Sequence, residues 1–199
     1  MAHITLTPGT GGAHLAAQPA HLFVLGDLTL DANGPFYPYI LTHLVASAGL
    51  TPVYEATNYP SFMAGVAGVF PGAAIGARVD LAECVRKVRA GAVPQQQAEI
   101  SLASMLANAT YESITKADRD RLKGSPVFQF LRYVRNAASH SNRWHFFDHE
   151  PSARGEWNGF VIDDTLKGAR HPLHGTQCIY GTLKPADVLY LVRDVEKLL

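Results

Sequence analysis

Apolar residues recur along this chain with a helical period that strengthens toward the C-terminus. The clearest run follows Ser125 and Pro126. There Val127, Phe130, Leu131, Val134, Ala137 and Ala138 fall on one face of a wheel turning about 100° per residue. Serine before proline marks a helix start: the hydroxyl caps, and the proline fills a first position whose amide has no helical partner. "KPADVLYLVRDVEKLL" (184–199) repeats the period with Val188, Leu191, Val192, Val195, Leu198 and Leu199. "PQQQAEISLASMLANATYESI" opens at Pro94 and carries Ile100, Leu102, Met105, Leu106 and Ala109, which predicts a long amphipathic helix. "VDLAECVRKVRAG" lines up Leu81, Cys84, Val85 and Val88 and ends at Gly91, and "TKADRDRLKG" reads as a polar connector or short helix ending at Gly124.

Elsewhere the pattern is weaker. Residues 1–20 are rich in Gly, Pro and Thr and read as a loose arm. "HLFVLGDLTL" (21–30) is either a strand or a buried helical turn, and Pro35 opens a helix through "FYPYILTHLVASAG" with Gly49 as its stop. The Pro60–Gly76 stretch is apolar but broken by Pro71 and glycines. "GEWNGFVIDD" and "HGTQCIYGTL" (174–183) alternate polar and aromatic residues and suggest a short two-stranded or irregular insert. The expectation is a mainly α single domain over 1–199, with a helical core from residue 80 to the end and a small irregular or β insert near the C-terminus.

Composition narrows the function classes. With 199 residues, 47% hydrophobic and 17% charged, the chain can bury one substantial core. The 17 basic residues balance 17 acidic ones, which excludes a generally basic surface but leaves room for a local patch. Cys84 and Cys178 share no metal-type spacing and fit free, mostly buried thiols in a reducing compartment. The first residues show no signal-peptide pattern, so a cytoplasmic protein is expected. Two charge-free windows, Asp31 to Glu55 and Glu55 to Arg78, approach membrane-spanning length. Their prolines, glycines and scarcity of leucine favour buried helices and loops over a membrane partner.

The candidate chemistry lies in "FQFLRYVRNAASHSNRWH" (128–145). With the stripe around Val134 turned inward, Arg132, Asn136 and Arg143 point away from the core, and Arg135 and His140 flank that exposed face. No carboxylate occurs from Ser125 to Phe147, whereas a solvated helix face normally mixes signs. The same residues also have structural readings. His140 could bond a carbonyl at the helix end, Arg135 could pair with Asp148 or Glu150, and Asn136 could cap a loop.

"RNAASH" (135–140), with the apolar lead-in "FLRYV" and the following "SNRWHF", resembles the Arg-polar-x3-His motif of the HEPN (higher eukaryote and prokaryote nucleotide-binding) superfamily. The resemblance implies a HEPN-like antiparallel helical bundle. It also implies a homodimer with an active site across the two copies, and metal-independent endoribonuclease activity without a cofactor. Carried over residue by residue, it makes Arg135 and His140 catalytic and Asn136 the polar residue beside the arginine. Arg132, Ser139 and Arg143 are expected to bind RNA around them. RNA brings its own nucleophile, the 2′-OH, so cleavage needs a group that exchanges protons near neutrality and a fixed cation for the phosphate charge. A toxin or defence setting follows, with an antitoxin or regulatory protein as a further partner. The alternative is a non-catalytic HEPN-like module that binds RNA, a nucleotide or a protein.

Other constellations are weaker. "HFFDHE" places His145 and His149 four apart beside Asp148 and Glu150, which would suit a metal hydrolase on a continuing helix, but Pro151 ends the segment, so no metal is expected. "HPLHG" (171–175) reads as a surface loop, and "TPGTGG" (7–12) lacks the Lys-Ser/Thr ending of a phosphate loop. Trp144, Phe146, Phe147, Trp157 and Phe160 could stack bases or fill the core.

Overall fold

The computed structural model describes residues 22–25, 28–54 and 81–199. The expected N-terminal arm, "TPGTGG" and the Pro60–Gly76 stretch lie outside the described residues. In chain order the elements are β1 (Leu22–Leu25), β2 (Leu28–Asp31), α1 (Tyr37–Tyr54), α2 (Leu81–Lys87) running into a π-turn (Val88–Ala92), and α3 (Gln95–Ser113). They continue with α4 (Lys116–Leu122), α5 (Pro126–Ser139), β3 (Gly155–Trp157), β4 (Phe160–Ile162), a 3-10 turn (Gly168–Arg170) and α6 (Pro185–Glu196). Both strand pairs are antiparallel hairpins, with Phe23 opposite Leu30 in one and Glu156 opposite Val161 in the other. The chain is thus mainly α. Among the described residues no helix is long and apolar enough to cross a membrane.

α5 is the central element. It starts where the Ser-Pro pair predicts, the Ser125 hydroxyl accepting the Phe128 amide hydrogen at 3.4 Å. It packs against α3, α6 and β3, and α3 also packs on α6, so three helices share one core. Asn108 of α3 meets Ser139, and Glu112, one turn later, meets Arg135, one turn earlier; α3 and α5 therefore run antiparallel. Ile100, Ala103, Leu106 and Ala107 face Phe130, Leu131, Val134 and Ala137, with Val188, Leu191, Val192 and Val195 closing the third side. Each large side chain buried in this way contributes about 2 kcal/mol of transfer free energy.

The β3–β4 hairpin seals the outer side of α5. Gly155 permits the approach: a Cβ there would stand 3.1 Å from the Phe130 backbone nitrogen and from the Tyr133 ring. Phe130 lies among Trp144, Trp157 and Phe160, with ring centroids 6.1–6.3 Å away, and Trp157 Nε1 donates to Asp194 of α6 at 3.0 Å. At the other end, the Phe36 amide donates to Glu196 Oε1 at 2.9 Å, anchoring the turn that sends Leu30, Phe36 and Ile40 into the core.

Several expectations from periodicity are corrected. α1 does not stop at Gly49 but continues to Tyr54, whose hydroxyl donates to the Val93 carbonyl at 3.1 Å and ties the helix end to the turn before α3. An interior glycine costs about 1 kcal/mol against alanine, which a tertiary anchor of this kind offsets. Met105 is exposed because α3 turns Ile100, Ala103, Leu106, Ala107 and Thr110 inward and Met105 lies on the opposite side. Cys84 is exposed rather than buried, and Leu199 is exposed beyond the end of α6. Within the 21–30 run, Leu22–Leu25 pairs antiparallel with Leu28–Asp31, so its described residues are strand rather than helix. The 174–183 segment forms no regular strand, only isolated bridges such as Arg143 with Gln177.

Burial holds His43 of α1 and His171 below the ordinary imidazole value of 6.5. A depressed histidine pKa means that the unfolded chain takes up protons first. Its stability contribution is therefore complete above pH 6.5 and is lost as the pH falls below it. Thermal unfolding at pH 7.5 and 5.5 is expected to give a lower Tm at the acid pH, with the difference shrinking in the His43→Gln/His171→Gln double variant. An unchanged or higher Tm at pH 5.5 would contradict this.

Candidate functional site

The helix carrying the motif ends abruptly. α5 stops at Ser139, and His140 is its C-cap, its amide donating to the Asn136 and Ala137 carbonyls at 3.1 and 3.0 Å. Ser141 and Asn142 then take left-handed conformations with φ of 56° and 61°, and the chain turns away from the helix axis. Asparagine enters this region more readily than most residues, and here its carboxamide fixes the turn. Buried Asn142 donates through Nδ2 to the Ile179 carbonyl at 2.9 Å and accepts the Ile179 amide hydrogen at 2.8 Å.

Around that clamp the 142–146 segment is sewn to 174–182. The Cys178 amide donates to the Asn142 carbonyl, the Trp144 amide to Thr176, and the Gly175 amide to the Trp144 carbonyl, at 2.9, 2.9 and 2.8 Å. Trp144 Nε1 donates to the Thr182 hydroxyl at 2.9 Å, and the Phe146 amide to His174 Nδ1 at 3.3 Å. His174 is thereby brought to His140 and His145, about thirty residues earlier in the chain. The His140 and His145 rings lie nearly parallel with centroids 3.9 Å apart, and His174 sits 5.3 Å from His145.

These rings border a groove of about 480 Å³ lined by Ser139, His140, Ser141, Arg143, His145 and His174, among others. Ser141 and Arg143 also border an adjoining groove of about 490 Å³, whose far wall includes Gln97, Ser101 and Ser104 of α3. Neither groove has a carboxylate among its lining residues. Arg143 donates to the Gly175 carbonyl at 2.7 Å and forms no ion pair among the described residues. The surface combines one guanidinium, three imidazoles and several hydroxyl and amide groups, a donor set suited to a phosphate.

Of the other residues expected at the site, Ser139 and Arg143 line the His140 groove, whereas Arg132, Arg135 and Asn136 do not. Arg135 lies on the α3 flank, ion-paired with Glu112 and with its guanidinium 5.4 Å from the Tyr111 ring centroid. Arg119 shares both partners, 3.9 Å from Glu112 and 5.3 Å from the ring. Asn136 accepts from Arg135 at 3.4 Å, and Ser139 donates to Asn108 at 2.9 Å. Arg135 is not among the residues lining the His140 groove. Arg132 points into the fold, bonding the buried carboxylate of Glu150, the Ser152 hydroxyl at 2.9 Å and Gln129 at 3.3 Å. Arg143 is not on the helix at all, because α5 ends four residues earlier. Of the two carboxylates considered for Arg135 from sequence, Glu150 belongs to Arg132 and Asp148 lies against Gly168, and Arg135 pairs with Glu112 instead.

Among the described residues no group of three or more His, Cys, Asp or Glu is arranged to hold a metal ion. The "HFFDHE" residues diverge: His145 stacks on His140, His149 on Phe147, and Glu150 turns inward to Arg132. Burial pushes the Cys178 thiol well above its ordinary value, which makes it a packing group rather than a thiolate nucleophile. Trp144, Phe146 and Trp157 are core residues, Phe160 packs against them, and Phe147 is exposed. Sequence reading did not foresee the role of Asn142 or the meeting of His145 and His174 with His140. The dense "SHSNRWH" string was the available signal, but the pairing that gives it meaning spans more than thirty residues.

Removing Arg132 strands the Glu150 carboxylate, so Arg132→Ala is expected to cost about 3 kcal/mol. Asn142→Ala breaks two buried hydrogen bonds and is expected to cost a similar amount, about 3 kcal/mol. Arg143→Ala should stay within about 0.5 kcal/mol of the wild type. Urea denaturation of the three variants checks the order, and equal midpoints would refute the assignment of Arg132 to structure and Arg143 to the groove. No protein-family model, curated protein or solved structure matches the chain.

Proposed function

We propose that the chain is a HEPN-like endoribonuclease that cleaves RNA through its 2′-OH without a metal. The observation that carries the reading is the carboxylate-free groove at the end of α5, where His140, His145, His174 and Arg143 face one open space. In the reaction, the 2′-OH gives up its proton and attacks the adjacent phosphorus. The bond from phosphorus to the 5′-oxygen breaks, and that oxygen takes a proton. The products carry a 2′,3′-cyclic phosphate and a 5′-hydroxyl. His140 serves as the general acid or base, and a guanidinium holds the phosphate oxygens. Within one chain Arg143 is the guanidinium bordering this groove, while Arg135, one turn before Ser139 on the α3 side of the helix, is paired with Glu112. Arg135 is not among the residues lining the groove. In the HEPN-like reading the site lies across two copies, so a second chain facing this groove contributes its own Arg135, exchanging Glu112 for the phosphate, and the protein is a homodimer. Unrestrained RNA cleavage harms a cell, so a toxin or defence role in the cytoplasm, held in check by an antitoxin or regulatory protein, belongs to the same reading.

A second reading rests on Arg135 itself. Its ion pair and its place on Tyr111 give it a complete structural role, as expected of a HEPN-like module that binds RNA, a nucleotide or a protein without cutting. The two readings part in one assay. Wild type, His140→Ala and Arg135→Ala are incubated with total RNA in EDTA and the product ends analysed. The nuclease reading predicts cyclic-phosphate ends from the wild type and a loss of at least about a hundredfold in His140→Ala. RNA left intact by the wild type but retained on the protein would establish the binding module instead.

A further inference from the structure

We infer that Phe147 and His149, a second stacked pair beside the His140–His145 stack, form a platform for an unpaired nucleobase, which makes single-stranded RNA the substrate class of this groove. The inference rests on reading the groove as an RNA site. The segment after the left-handed turn is extended, and its side chains alternate. Trp144 and Phe146 point into the core with rings parallel to within 3°, while His145 and Phe147 point outward beside the groove. The core does not account for Phe147, which is 49% exposed.

Phe147 does have aromatic neighbours. Its ring is roughly perpendicular to those of His145 and His140, with centroids 4.9 and 6.2 Å away, and runs parallel to within 7° to the exposed His149 ring, 6.1 Å away. Four rings thus run from the groove onto open surface, next to a guanidinium. The one acid on this stretch, Asp148, sets its carboxylate against Gly168, within 3.2 Å of where a Cβ on that residue would stand. A phosphate beside His140 and Arg143 would leave the neighbouring base within reach of the rings. Proteins that hold single strands commonly combine a cationic track with aromatic faces. Paired bases are stacked on each other and withhold those faces, so a duplex gains only the phosphate contact.

The test uses a fluorescent 2′-O-methyl oligoribonucleotide, which lacks the attacking hydroxyl and stays intact, with binding read by anisotropy. The wild type is expected to bind the single strand at least about tenfold more tightly than a hairpin of the same composition. Phe147→Ala is expected to lose about tenfold in affinity and Phe147→Trp to recover it. Equal affinity of Phe147→Ala and wild type overturns the platform, as does a hairpin bound as well as the single strand. A change in sedimentation of Phe147→Ala in place of a change in affinity also overturns it and assigns the surface to a second copy or a protein partner. Cleavage of natural RNA is measured in parallel. A wild type that binds through Phe147 yet leaves RNA whole sustains the platform and ends the nuclease reading. Cleavage with an unaltered KM in Phe147→Ala does the reverse. No binding of any oligonucleotide ends both.

Discussion

The candidate site depends on one buried carboxamide. Asn142 gives and takes a hydrogen bond with the backbone of Ile179, and this pair of contacts, 2.9 and 2.8 Å long, joins the chain leaving α5 to a loop more than thirty residues further on. A side chain that is both donor and acceptor can satisfy one backbone unit as a neighbouring strand would. Because both bonds are buried, breaking either leaves a polar group without water. The left-handed turn at Ser141 and Asn142, the pairing of Trp144 with Thr176 and Gly175, and the meeting of His145 with His174 all follow from where this clamp fixes the chain. Without it, His140 would be an ordinary histidine at the end of a helix.

The same segment shows how motif residues can be divided between structure and chemistry. Arg132, Arg135 and Arg143 look alike in sequence, yet their surroundings give them different work. Arg132 neutralises the buried Glu150 and holds the lead-in to the hairpin. Arg135 shares Glu112 and the Tyr111 ring with Arg119, and so bonds α5 to α3 and the helix after it. Arg143 meets a backbone carbonyl and borders the groove. A cation already paired with a carboxylate offers a phosphate far less than one that is not, because the anion must first displace its partner.

The helices were largely legible because they are amphipathic. Phe130, Leu131, Val134 and Ala137 at the centre of the α5 stripe are buried as the periodicity requires, while Val127 and Ala138 at its ends are half-buried. Ser125 caps as its hydroxyl allows, and Val188 to Val195 pack as their spacing demands. Periodicity failed where a side chain or backbone turn depended on distant partners. Gly49 looked like a stop, but tertiary anchoring carried α1 past it to Tyr54. Met105 belonged to the apolar count, but not to the face that α3 turns inward. The helical wheel also extended too far: placing Arg143 on the exposed face of α5 assumed a helix that ends at Ser139. Of the candidate site, His140 was visible as a residue. Its environment was not, since His145 and His174 reach it through pairing that no local pattern encodes.

The most direct test of the account is the NMR response of the histidine rings to single-stranded RNA, with selectively labelled histidine in the intact protein and a 2′-O-methyl strand as the probe. If the groove after α5 holds the phosphate chain, the His140, His145 and His174 resonances shift together and saturate with one affinity, while His43 on α1 stays in place. Shifts spread over unrelated histidines, or three groove resonances indifferent to the strand, would contradict it.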